Sequence, residues 1–73
     1  MTRLPALSAQ EVVAALKRAG YHSARQSGSH QTLKHPSRPA VIVPMHGGSL
    51  HRGLLMRIIR QAGFTPEEFR DLL

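Results

Sequence analysis

Arg25-Gln26-Ser27-Gly28-Ser29-His30-Gln31-Thr32-Leu33 is the stretch on which the reading of this chain turns. Glycine takes a positive φ that residues bearing a Cβ resist, so Ser27-Gly28-Ser29 reads as the tight connection of a hairpin with a strand on either side. The strand that follows, His30 to Lys34, alternates: Gln31 and Leu33 share one face, and His30, Thr32 and Lys34 share the other. With Leu33 toward a core, His30 stands on the outer face, at the start of its strand and just past a flexible turn. Imidazole both accepts and donates a proton near neutral pH, which makes His30 the first candidate for chemistry. The plain alternative is an exposed strand histidine with no chemistry, so the surroundings have to decide.

Toward the N-terminus, Tyr21 to Gln26 reads as the first strand, weakly patterned because only Tyr21 and Ala24 are clearly buriable. Before it, Ser8-Ala9-Gln10-Glu11 has the form of a capping box opening onto an apolar periodic run, which predicts helix one over about residues 9–19. Val12, Leu16 and Ala19, flanked by Val13 and Ala15, form its apolar face, and Gly20 supplies the left-handed position that ends it. Lys17 and Arg18 in the last turn either complement the helix dipole or meet an anionic partner.

Toward the C-terminus, His35-Pro36-Ser37-Arg38-Pro39 is a turn by composition, and Ala40-Val41-Ile42-Val43 is the most β-branched stretch, hence a third strand expected to be central or closest to the helices. Pro44 ends it. Met45-His46-Gly47-Gly48-Ser49-Leu50-His51 is a loop leading into helix two, whose Leu54, Leu55, Ile58, Ile59 and Ala62 recur at the helical period while Arg52, Arg57 and Arg60 occupy the other sides. Gly63 terminates that helix, Phe64 follows as an apolar contact, and Thr65-Pro66-Glu67-Glu68 opens a last helix over about 66–72 that buries Phe69 and Leu72. The order is helix, three antiparallel strands, helix, short helix: an α+β fold with the helices on one face of a small sheet, similar to double-stranded-RNA-binding modules.

Seventy-three residues make one domain, 1–73, with a thin core. The absence of cysteine excludes a disulfide framework, a thiolate metal site and a thiol nucleophile. No stretch has the apolar run of a signal peptide or the roughly 20 apolar residues that span a bilayer, so the expectation is a cytoplasmic protein with no membrane partner. Ten Lys and Arg against four Asp and Glu give a net charge of +6, and no acid occurs between Glu11 and Glu67. That interval holds Lys17, Arg18, Arg25, Lys34, Arg38, Arg52, Arg57, Arg60 and all five histidines, so the surface it forms is positive and suits a polyanion, nucleic acid first.

Several of these residues together resemble one family. Gly20-Tyr21, Arg25-Gln26-Ser27-Gly28-Ser29-His30, Val43-Pro44-Met45-His46-Gly47-Gly48, Gly53-Leu54-Leu55 and Ile58-Ile59-Arg60-Gln61-Ala62-Gly63 closely resemble the HicA toxins of toxin–antitoxin pairs, from helix one to the C-terminus. The most specific parts are the Gly-Ser-His triplet and the Val-Pro-x-His-Gly-Gly loop. The resemblance implies an mRNA interferase: a small endoribonuclease that cuts mRNA without a metal or other cofactor and is neutralised by a HicB antitoxin. It also implies that His30 is catalytic. The family commonly has a basic or polar residue at the place of His51, so the resemblance does not promote that histidine.

Metal-free cleavage can use the RNA's own 2′-OH as nucleophile, so the protein must remove that proton, stabilise the phosphorane charge and protonate the leaving 5′-oxygen. His30 is the acid/base candidate and His46, in a loop leaving the strand expected beside it, the second. Arg25 and Lys34 are candidates for holding phosphate, with solvated strand-face charges as the alternative; Ser29 either donates to a phosphate oxygen or satisfies the turn. His22, His30, His35, His46 and His51 show no helical His-x3-His pair and no cysteine partner, which argues against zinc, and Gly47-Gly48 lacks the Lys-Ser/Thr of a P-loop. Two other readings remain: a non-catalytic double-stranded-RNA-binding module that tracks A-form shape, and a basic interaction protein for an acidic partner.

Overall fold

The computed structural model describes residues 3–73. It contains α1 (Ala9–Arg18), β1 (His22–Ser27), β2 (His30–Lys34), β3 (Val41–Pro44), α2 (Arg52–Gln61) and α3 (Pro66–Arg70). The strands form one antiparallel sheet in the order β1-β2-β3. This is the expected α+β architecture.

The helices start and stop where local chemistry directs. Ser8 Oγ accepts from the Glu11 N–H at 3.2 Å while a Glu11 carboxylate oxygen accepts from the Ser8 N–H at 2.9 Å, and Thr65 and Glu68 repeat this pair at the start of α3. Each such cap stabilises its helix by about 1 kcal/mol. α1 and α2 end alike: Gly20 and Gly63 have positive φ, the N–H of Gly20 donates to Lys17 O and that of Tyr21 to Leu16 O, and Gly63 and Phe64 do the same to Arg60 O and Ile59 O. This pair of hydrogen bonds is the Schellman closure, completed by an apolar residue after the glycine.

The core lies between the helices and one sheet face. Val12, Leu16, Leu33, Val41, Val43, Leu55, Ile58, Ile59 and Phe69 are fully buried, and no polar or charged side chain among the described residues is buried with them. Each such apolar side chain contributes about 1.5–3 kcal/mol by leaving water. Leu4, Leu7 and Leu50 extend this core, because the Leu50 N–H donates to Leu7 O at 2.8 Å and Ser8 bridges to Ser49. The N-terminal segment is thereby fastened to the loop before α2.

Two sequence expectations need correction and a third is narrowed. Tyr21 is buried but precedes β1, whose six residues are all exposed, Ala24 included. Ala24 has no partner because a β-bulge shifts the register between Ser23 and Arg25. β3 is an edge strand, so of the two places expected for it, central or closest to the helices, it takes the second: Val41 and Val43 pack toward α1 and α2, while Ile42 turns outward and is 53 % exposed. The last helix stops at Arg70, with Leu72 half-buried beyond it.

Candidate functional site

β2 is the central strand, and His30 is its first residue. The pairing that fixes its surroundings is Ser27↔His30 on one side and His30↔Pro44 on the other. Side chains of paired residues point to the same face, so the open face carries His22, Arg25 and Ser27 from β1, His30, Thr32 and Lys34 from β2, and Ile42 and Pro44 from β3. The bulge at Ala24 is what gives Arg25 its place there. Without the extra residue Ala24 would oppose Thr32 and Arg25 would turn to the core side; with it, Arg25 opposes Thr32 and lies diagonal to His30. Lys34 shares the face but stands four residues along β2, roughly 13 Å from His30 at 3.3 Å per residue. Gly28 and Ser29 form the turn itself, and the Ser29 carbonyl accepts from the Met45 N–H. That bond ties the loop after β3 to the turn before His30.

A groove of about 1040 Å³ runs between the β3 edge and α2, lined by His30, Ile42 and Pro44 from the sheet and by Leu54, Arg57 and Arg60 among others from the helix. α2 can border both core and groove because its faces divide: Leu55, Ile58 and Ile59 are buried, whereas Arg57 and Arg60, three residues apart and so neighbours on the helix surface, are exposed. His46 does not line this groove. It lines a separate hollow with Ser8, Ala9, Gln10, Met45, Gly47 and Gly48 at the start of α1.

The other histidines divide by hydrogen bonding. His35 Nδ1 accepts from the Ser37 N–H at 3.0 Å, so its proton resides on Nε2, which donates to Ala19 O at 2.9 Å. Its ring lies 4.9 Å from that of buried Tyr21, whose hydroxyl donates to Pro39 O at 2.8 Å. Burial pushes the Tyr21 phenol above its ordinary pKa, and the positive charge of Arg38 pulls it partway back. His51 is the N-cap of α2, its Nδ1 accepting from the Leu54 N–H at 3.2 Å. His35 and His51 therefore hold structure, while the ring of His30 has no hydrogen-bond partner among the described residues. Nor does any group of three His, Cys, Asp or Glu among those residues stand close enough to hold a metal ion.

The arginines divide the same way. Arg18 donates to Leu72 O at 2.7 Å, Arg52 to Leu4 O at 3.3 Å, and Arg38 to Ala62 O at 3.1 Å and Gly63 O at 3.3 Å, with its guanidinium 4.0 Å from the Phe64 ring centroid. Each satisfies carbonyls that a helix end or chain segment leaves open. Arg57 and Arg60 have no such partner among the described residues, and they are the two basic residues that share a groove with His30. Sequence reasoning placed them off the apolar face of α2 but not beside His30. Their spacing of three was the available signal; that β3, already a candidate for lying close to the helices, is an edge strand was not visible.

The family model for the HicA toxin of bacterial toxin–antitoxin systems matches residues 9–64, a span from the start of α1 to the residue that closes α2. No curated protein matches the chain. No helix among the described residues is long and apolar enough to cross a membrane.

Proposed function

Because this chain belongs to the HicA toxin family, the toxin side of bacterial toxin–antitoxin pairs, we propose that it is a metal-independent endoribonuclease that cleaves mRNA in the cytoplasm and is neutralised by a HicB antitoxin. The observation that carries the reading is the contrast at His30. His22 and His30 both stand exposed on the open sheet face, free of side-chain hydrogen bonds among the described residues, and of the two it is His30 that lies in a groove with two arginines.

In this mechanism His30 takes the proton from a ribose 2′-OH, the 2′-oxygen attacks the adjacent phosphorus, and the bond from phosphorus to the 5′-oxygen breaks. The products are a 2′,3′-cyclic phosphate and a 5′-OH end, the latter protonated by a second group. His46 is the candidate for that proton, brought from its own hollow when RNA binds; its loop is tethered to the Ser29 carbonyl, one residue before His30. Arg25, diagonal to His30 on the same face, holds the phosphate whose charge grows in the transition state. Lys34 contacts the RNA backbone further along, and Ser29 donates to a phosphate oxygen.

The test uses toxin freed of antitoxin and two RNA oligonucleotides that differ only in a deoxyribose at the scissile position. Cleavage of the all-ribose strand continues in EDTA and leaves a 2′,3′-cyclic phosphate or its opened product by mass spectrometry, and it stops at the deoxy site. Cutting at the deoxy site at a comparable rate would exclude the 2′-OH route, and loss of cutting in EDTA would point to a metal-bound hydroxide instead. Protein that binds RNA but cuts neither strand would be the non-catalytic double-stranded-RNA-binding module.

A further inference from the structure

We propose that the groove between β3 and α2 is the site where a single-stranded flank of the RNA lies, with Arg57 and Arg60 holding its phosphates and Ile42 and Pro44 receiving its bases. The inference rests on the ribonuclease reading only in calling His30 the cutting end of that groove.

Four observations carry it. The groove is continuous with His30, which is one of its lining residues. Its charge is of one sign: the ionisable residues lining it are His30, Arg57 and Arg60, with no carboxylate. Both arginines are uncommitted among the described residues, whereas Arg18, Arg38 and Arg52 each donate to main-chain carbonyls. A guanidinium without a carbonyl or carboxylate keeps its donor fork free for phosphate. The opposite wall is apolar and outward-facing: Ile42 is 53 % exposed, the most exposed large apolar side chain on the sheet, and Pro44 follows it on the same face.

An A-form duplex presents phosphates and 2′-hydroxyls at its surface and keeps its base faces stacked inside. Such a ligand has no use for an exposed isoleucine and proline facing two arginines across a groove. A single strand offers both halves of the match, since its bases splay onto apolar surface while its backbone tracks the positive side. On the far side of His30 the open face continues to Ser27 and Arg25, so a strand crossing the sheet would set its scissile phosphate between His30 and Arg25 and its flank along Arg57 and Arg60.

The experiment measures binding and cutting separately. Binding uses His30→Ala protein and a short mixed-sequence RNA, single-stranded or annealed to its complement, titrated across salt by fluorescence anisotropy. Cutting uses protein that retains His30. The expected result is tighter binding of the single strand than of the duplex. Adding Arg57→Gln and Arg60→Gln lowers the slope of log affinity against log salt by about 1.4, since each single-strand phosphate contributes about 0.7; this is about a 25-fold loss near 0.1 M salt if the proteins converge near 1 M. In cutting assays the same pair raises KM more than it lowers kcat. Ile42→Ser weakens single-strand binding several-fold with the slope unchanged, because an apolar contact releases no counterion. All three positions are exposed, so circular dichroism should show each variant folded.

Equal affinity for duplex, or an unchanged salt slope in the double variant, overturns the inference. So does a double variant that binds RNA normally but no longer captures HicB, since the groove would then be a protein-docking surface. Cutting that depends on His30 while Arg57 and Arg60 are indifferent removes the groove and leaves the nuclease. Single-strand binding that depends on Arg57 and Arg60 with no cutting does the opposite.

Discussion

Two histidines, five positions apart in sequence and at opposite ends of one hairpin strand, live under opposite rules. Around His35 every polar group is satisfied: both ring nitrogens are hydrogen-bonded, Tyr21 donates to Pro39 O, and nearby Arg38 closes the end of α2 while lying over Phe64. Around His30 the ring and the two arginines of its groove are without partners among the described residues, and a large apolar side chain faces outward. A region with all its donors used is stabilised and has nothing to offer a ligand. Where donors and apolar surface are left open, stability is forgone and binding capacity remains. Histidine content alone could not separate the two, because their difference lies in what each ring touches.

The largest effect should come from His30→Ala. It is expected to lower RNA cleavage by at least about 10²–10⁴-fold, the usual contribution of a general base, with thermal melting unchanged; a folded variant that cuts at the wild-type rate would erase the distinction between the two ends. The reciprocal change, His35→Ala, should lower stability by about 2 kcal/mol through two lost hydrogen bonds and leave cutting per folded molecule intact.

Glycine substitutions probe the same contrast. Gly20 has φ +106° and a Cβ there would lie 2.9 Å from His35 Nε2, so Gly20→Ala must both strain the backbone and displace the ring. A loss of about 2–3 kcal/mol is expected in chemical denaturation. Gly28 also has positive φ, +57°, but nothing lies within 4 Å of the added methyl. Gly28→Ala should therefore cost only about 1 kcal/mol, and equal losses at the two glycines would mean that the His35 contact is energetically silent.

Tyr21→Phe removes the hydroxyl that donates to Pro39 O and should cost about 1 kcal/mol near neutral pH. Its pH dependence has a definite sign. Because the phenol titrates above its ordinary value in the folded state, the stability it contributes is complete below about pH 10 and is lost as pH rises beyond that. The alkaline decline of the melting temperature should be shallower in the phenylalanine variant. The smallest effect on binding is expected from single charges on the sheet face of His30: Arg25→Gln and Lys34→Gln should each reduce the salt slope for single-stranded RNA by about 0.7, with no change in melting. A response from Arg25 alone would match its place diagonal to His30 and return Lys34 to the solvated surface.

Much of this molecule was legible in its sequence because the deciding interactions are local. The capping boxes at Ser8 and Thr65 span three residues, the glycine closures at Gly20 and Gly63 span five, and the alternation from His30 to Lys34 needs only the strand period. The turn at Gly28 and the family motifs beside it are likewise written in consecutive residues. What only the tertiary structure decided involves partners far apart in the chain. Examples are Arg38 closing α2 from 24 residues away and Arg18 reaching Leu72 across 54. The edge position of β3 belongs here too, since it lays Ile42 along the groove that holds His30, Arg57 and Arg60. So does the bulge at Ala24, which no composition rule marks and which turns Arg25 to the face of His30. Capping and period act within a few residues and leave a trace in the order of side chains; strand order and the division of arginines between carbonyls and open groove depend on which surfaces meet after the chain has collapsed, and no short stretch of sequence encodes that.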